Sequence, residues 1–296
     1  MGKVFVKFPK TGLGNLMLVW ARARVFAYLN NLPLITSSWW ALRPGTWIRN
    51  ERKKRFYWKY FKESTLLQRL EMRFVLHLKD KQVVREPEAK ILSNKEKKDY
   101  HFLFNAINVD NDLFGYIRNH REFIKKEIYQ IINPDLINQL DKLDVPVISV
   151  HIRRGDFKLG NAITPESFFI ETITQIRNIT GELLPVTVFT DAEENEISNV
   201  LKLPATILAS PKADILDILL MSKSEIIVLS QSSSFSYWSA FLSEAIVILP
   251  HNDWQSNIRN NRDHGMEEFT EIRWQGSADN ITQLKASLNK IRSHGN

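Results

Sequence analysis

The chain contains no cysteine. Disulfides, thiol catalysis and cysteine-held metals are therefore excluded, and a reducing compartment fits without being required. No apolar run approaches the roughly 18 residues of a membrane-crossing helix. The opening M-G-K-V-F-V-K-F goes straight into strand-like alternation, with no signal-peptide pattern. It starts like a lipidation signal, but Val6 stands where serine or threonine is required. A cytoplasmic setting is the expectation. G-x-S-x-G is missing, which excludes a hydrolase elbow. Gly12 and Gly14 lack a third glycine at position 17, where Met17 stands, so no dinucleotide fingerprint is read. The histidines show no H-x-x-x-H spacing. Asp110-Asn111-Asp112 has the D-x-D look of a metal motif, but a polar turn explains it as well, and no metal is expected. Internal repeats and low-complexity segments are absent.

What is present is a soluble-globular composition, 44% apolar and 25% charged over 296 residues, enough for two α/β domains. The net charge of +7 is unevenly placed. Residues 1–146 hold 27 Lys+Arg against 15 Asp+Glu, a net +12, and residues 147–296 carry a net −5. The densest stretch is 49–62, R-N-E-R-K-K-R-F-Y-W-K-Y-F-K. It reads as a solvated helix face with inward aromatics, as a contact for anionic lipid, or as a nucleic-acid patch without an accompanying motif.

The chain begins as one βαβ unit. Residues 4–8 predict a strand, T-G-L-G-N a turn, 15–31 a long helix and 32–36 a second strand. Residues 38–100 resist parsing beyond basic helices and loops. Residues 113–132 predict a helix, stopped by Asn133-Pro134. The second half alternates regularly. Strands are expected at 146–152, 184–190, 205–209, 225–229 and 245–249, and helices from Thr164-Pro165 onward, with Thr164 as N-cap and Pro165 at the first helical position, in A-E-E-N-E-I-S-N-V-L, and at 214–222 and 235–243. This pattern predicts a doubly wound parallel sheet. The domains are expected at 1–143 and 144–296, with a last helix, about 278–293, able to pack back on the first.

Ligands of such sheets sit beyond the C-terminal strand ends. Three clusters fall there: H-I-R-R-G-D at 151–156, Asp191, and S-Q-S-S-S-F-S at 230–236. In the first, one arginine can face an anion while the other braces the loop against Asp156, and Gly155 permits close backbone approach. A charged surface turn and an exposed Arg-Gly-Asp adhesion tripeptide are the competing readings. Ser233 and Ser234 enter a helix, which suits a phosphate cradle or ordinary capping. Asp217 can meet a base or ribose, or favour its helix dipole.

Taken in order, T-G-L-G-N-L-M (11–17), G-Y-I-R (115–118), H-I-R-R-G-D-F (151–157), V-F-T-D (188–191), D-I-L-L-M-S (217–222) and S-S-S-F-S-Y-W (232–238) resemble the α-1,2-fucosyltransferase family. The family's forms are G-G-L-G-N-Q-M, G-Y-x-Q, H-x-R-R-G-D-Y and N-S-S-F-S-W-W. The resemblance covers roughly residues 5–30 and 113–250, and the arginine motif is its most specific part. Leu16, Arg118, Phe157 and Ser232 depart from the pattern, which bears on the acceptor more than the donor.

The resemblance implies a GT-B-like enzyme of two Rossmann-like domains facing a cleft, with the donor site in the C-terminal one. It would move L-fucose from GDP-fucose to O2 of a terminal galactose on a glycan acceptor, with inversion and without metal or cofactor. Arg153 would hold the β-phosphate, and Arg154 and Asp191 are counted among the donor-binding residues. Asp156 is the nearest carboxylate, and orienting an arginine is its expected work. His151 and Asp217 would meet the nucleoside, and Ser233, Ser234 and Phe235 the pyrophosphate and base. Gly12 and Gly14 are counted with the donor site, and Asn15 would reach the reacting centre. The acceptor could be lipid-linked, with peripheral membrane contact through 49–62 and no nucleic acid. Because the arginine motif recurs in α-1,6- and protein O-fucosyltransferases, those linkages are one alternative. A non-catalytic module docking on acidic lipid or nucleic acid is the other.

Overall fold

A computed structural model describes residues 2–40, 56–76, 82–107, 112–155, 163–210, 212–259 and 270–294. Through these residues one compact unit runs to Gln139 and a second begins at Leu140.

The first unit is built on a parallel sheet in the order β2-β1-β4-β3: β1 (Val4–Val6), β2 (Leu34–Thr36), β3 (Val83–Arg85) and β4 (His101–Phe104). Alternation along β1 divides the core. Val4 and Val6 meet Val19, Ala23 and Phe26 of α1 (Leu13–Asn30). Phe5 meets Met72 and Val75 of α2 (Leu66–Leu76) on the other face. Helix α1 is buried nearly all round, and Asn31 closes it in the left-handed conformation (φ 51°). It starts at Leu13, two residues before the expected start, so Asn15 lies within its first turn. Of the segment that resisted parsing, the described residues form the short β3, α2 and α3 (Asn94–Asp99).

The helix expected over 113–132 is shorter. Turns occupy 113–117, a 3-10 turn spans Arg118–His120, and α4 covers only Arg121–Ile131. The cause is Asp112, whose carboxylate accepts from the Phe114 amide (3.2 Å) and pairs with Arg118 (2.6 Å). A Cβ at Gly115 would lie 2.8 Å from that carboxylate. Asn133-Pro134 ends α4 as expected, yet Pro134 also starts α5 (Pro134–Leu140).

The second unit holds six parallel strands in the order β10-β9-β8-β5-β6-β7. They are β5 (Ile148–Ile152), β6 (Val186–Thr190), β7 (Thr206–Leu208), β8 (Ile226–Val228), β9 (Ile246–Pro250) and β10 (Glu271–Trp274). Counted from β5, this is 3-2-1-4-5-6, the doubly wound order whose switch point lies between β5 and β8. All five residues of β5 are buried, as a central strand covered on both faces requires. Ile148, Val150 and Ile152 pack with Phe169, Ile173 and Ile176 of α6 (Glu166–Thr180) and with Leu284 and Leu288 of α10 (Ala278–His294). Helices α8 (Asp214–Ser222) and α9 (Ser234–Leu242) pack against each other. The stretch expected as one helix near 192–201 is a 3-10 turn, Glu194–Glu196, followed by α7 (Ser198–Leu201). The sixth strand, β10, was not expected.

Candidate functional site

The switch point of the second sheet is fastened by hydroxyls. Ser230, two residues past β8, donates to the His151 carbonyl (2.8 Å) and accepts from the Arg153 amide (2.9 Å). Thr164 accepts from the Gln231 amide (2.9 Å). Thr164 was expected to cap α6, but Pro165 occupies that position and the threonine hydroxyl is spent on the β8 loop instead. The exits of β5 and β8 are thus held at fixed spacing.

Within this frame the two arginines differ. Arg154 is buried (6% exposed), and its guanidinium donates to the carbonyls of Thr164 (2.9 Å) and Arg153 (3.0 Å). Burial lowers its pKa, against the attraction of Glu166, Glu196 and Asp191, but a guanidinium stays charged regardless. Arg153 keeps 21% of its side chain exposed and pairs with Asp191, whose other oxygen accepts the Arg154 amide (2.8 Å). Asp191, at the end of β6, therefore binds both arginines. Asp156 lies outside the described residues. Gly155 has a steric reason to be glycine: a Cβ there would press into the Asp191 carboxylate, with Cγ 3.2 Å away.

His151 is buried and stacks on Phe235 (centroids 5.2 Å, 28°). Ser233 takes the N-cap position of α9 without a side-chain capping bond, so capping does not explain its hydroxyl. Ser232, just before it, is left-handed (φ 58°). Its amide donates to the Tyr237 hydroxyl (2.7 Å), which donates to Asp253 (2.6 Å), and its own hydroxyl accepts from Trp254 (2.7 Å). Burial, then the nearby Asp253, raises the Tyr237 pKa far above its usual range, so this phenol remains a neutral donor. Asp217 is buried in the first turn of α8. Arg153, Arg154, Gly155 and Asp191 are thus brought into contact, as are His151 and Phe235.

Gly12, Gly14 and Asn15 belong to the first unit. Gly12 precedes α1 in extended conformation, and a Cβ there would meet nothing within 4 Å. Gly14 is buried in the first turn, and Asn15 donates to Thr11 (2.9 Å). Tyr237 and Asp253 were not singled out from the sequence, Thr164 was read only as a helix cap, and Ser230 only as the first residue of the serine cluster. Only the position of Ser230 at a strand end hinted at its use. Among the described residues, no group of three or more His, Asp or Glu side chains is placed to hold a metal ion.

Two all-parallel Rossmann-like units define the GT-B-like class of glycosyltransferase folds. The chain belongs to glycosyl transferase family 11, whose model matches residues 59–278, and this sets the non-catalytic module aside. Among solved structures the chain is similar to POFUT1 in complex with GDP-fucose (TM-score 0.53, 11% identity, 91% of this chain and 97% of that one). It is also similar to the fucosyltransferase NodZ from Bradyrhizobium (0.50, 12%, 82% and 94%). A third likeness is to a point mutant of Arabidopsis thaliana FUT1 in complex with GDP (0.50, 12%, 89% and 73%). No curated protein sequence matches the chain.

Gly155→Ala gives a direct check on the arginine geometry. The added methyl group should displace Asp191 from Arg153, and GDP, the ligand proposed below for this edge, should bind about tenfold or more weakly than to the wild type, since small misplacements of charged groups are costly. Calorimetric titration measures it, and unchanged affinity would refute the steric account.

Proposed function

We propose that the chain transfers L-fucose from GDP-fucose to a hydroxyl of a glycan acceptor, with inversion and without a metal, O2 of a terminal galactose being the finer reading. The observation that carries it is Arg153: an arginine at the switch point of a glycosyltransferase sheet, its amide fixed by Ser230 and its guanidinium paired with Asp191. The acceptor oxygen bonds to the anomeric carbon as the bond from that carbon to the β-phosphate oxygen breaks. The electron pair leaves with GDP, and the acceptor's proton passes to a general base. Charge develops on the departing diphosphate, and a preorganised guanidinium stabilises it where it appears. The N-terminus of α9, with Ser233 and Ser234, offers further donors to the same anion. The stacked His151–Phe235 pair and Asp217 suit the nucleoside. Asn15, in the first turn of α1, is assigned to the reacting centre, and Gly12 and Gly14 to the donor. The linkage rests on the motif resemblance, whereas the donor is supported by it and by the nucleotides named with POFUT1 and FUT1.

A thermal-shift series tests the donor. GDP should raise the melting temperature of the second unit while ADP and UDP should not, because only a ligand of the native state stabilises it. Indifference to GDP would sink the assignment. Product analysis with GDP-fucose and a panel of galactosides decides linkage, and an α-1,6 or protein-linked product would redirect that part alone.

A further inference from the structure

Helix α2 carries more apolar surface than its place on the first sheet requires. Met72 and Val75 enter the core beside Phe5, Ile35, Val83 and Leu103. On the outward side Leu66, Leu67, Leu70 and Phe74 are 66%, 78%, 51% and 70% exposed. At the helical repeat these four fall within one arc of about 100°. Arg69 and Arg73 border the arc on one side. On the other lies Glu71, paired with Lys3 at 2.5 Å. The approach to the helix adds exposed Phe56 and Trp58 next to exposed Lys59 and Lys62, while Tyr57 and Phe61 are buried. Residues 49–55 of the basic stretch lie outside the described residues. Single exposed leucines are ordinary, but a contiguous apolar stripe marks an interaction surface.

We propose that this face of α2 docks the chain on a bilayer surface rich in anionic headgroups. Leu66, Leu67, Leu70 and Phe74 would enter the boundary between headgroups and acyl chains, with Lys59, Lys62, Arg69 and Arg73 facing lipid phosphates. Charge selects this occupant. Residues 1–146 carry a net +12, so a second copy would bring like charge against like, whereas acidic headgroups complement it. An apolar face bordered by basic residues is the pattern of an interfacial helix, and an indole such as Trp58 suits the same depth. The 11 residues of α2 span only about 16 Å. Among the described residues no helix is long and apolar enough to cross a membrane. The docking is therefore peripheral.

Flotation of the whole purified chain with vesicles tests it without any donor or acceptor, so the result is independent of the proposed reaction. Binding is expected to phosphatidylcholine–phosphatidylglycerol vesicles and not to phosphatidylcholine alone, and it should fall as salt rises. Leu67→Glu combined with Phe74→Glu should lower vesicle affinity at least about tenfold, because charge replaces buried apolar area. Both side chains are solvent-exposed, so the melting temperature should hold. If it does not, Leu70→Gln alone replaces the pair. Lys59→Glu with Lys62→Glu should give a similar loss. Wild-type vesicle binding by the α2 variants, or no wild-type binding to anionic vesicles, overturns the proposal. A wild-type dimer that Leu67→Glu dissociates also overturns it, in favour of a second copy.

Discussion

Arg153→Ala should leave a folded protein whose rate of transfer from GDP-fucose has dropped by at least about a hundredfold, the usual loss when one preorganised donor to developing charge is removed. The fold should survive because the Arg153 side chain is not part of the core. It is one-fifth exposed, and the structural tie at this residue is its backbone amide, which alanine keeps for Ser230. Asp191 loses one partner and retains the Arg154 amide at 2.8 Å. Arg153→Lys should recover only part of the loss, because an ammonium cannot repeat the paired N–H geometry of a guanidinium against a diphosphate. Initial rates with GDP-fucose, beside a melting curve, measure both. Wild-type turnover in Arg153→Ala would remove this residue from the reaction.

The largest effect on stability is expected from Arg259→Met. Arg259 is fully buried. Its guanidinium donates to Glu271 (3.0 Å) and to the carbonyls of Ser243 (3.1 Å), Ala245 (2.9 Å) and Thr270 (3.0 Å). Glu271 in turn accepts the amides of Ile258 and Arg259, both at 2.9 Å. Methionine would fill the space but leave the buried Glu271 carboxylate without its counter-charge and take the guanidinium from the Ser243 and Ala245 carbonyls, while the Thr270 carbonyl keeps the Val247 amide (2.9 Å); breaking one side of such a buried pair costs about 3–5 kcal/mol. Urea unfolding of the second unit should show the shift, and adding Glu271→Met should cost less than the sum of the single changes. The knot sits where β9 and β10 begin, at the edge opposite Arg153. The variant's folded fraction should therefore keep its donor affinity. A loss below about 1 kcal/mol, the size of an ordinary surface change, would refute the assignment.

Legibility followed the length and burial of the elements. β5, β6 and β9 are five residues each in near-continuous apolar runs, which sequence pattern reads well. β3 has three residues with two exposed, and β10 only four. Neither carries enough pattern to stand out. Helix α2 escaped for another reason: apolar residues on both its faces blur the 3.6-residue period. At the site, the edge and the arginines were visible because residue type and strand end coincide in the sequence. That Asp191 joins both arginines was not visible, because the pairing spans 37 residues. Nor could a sequence reveal that Thr164 serves the β8 loop instead of its own helix.

The left-handed Ser232 couples two positions of the serine motif. The family motif places asparagine there, a residue that tolerates this conformation, and tryptophan where Tyr237 stands. A serine in that conformation is strained, but here its amide is received by the Tyr237 hydroxyl, which no tryptophan could supply. The two positions at which the chain differs from the motif are thus joined by one hydrogen bond. Tyr237→Trp would take that acceptor away and leave the Ser232 amide with the Asp253 carboxylate alone, at 3.4 Å.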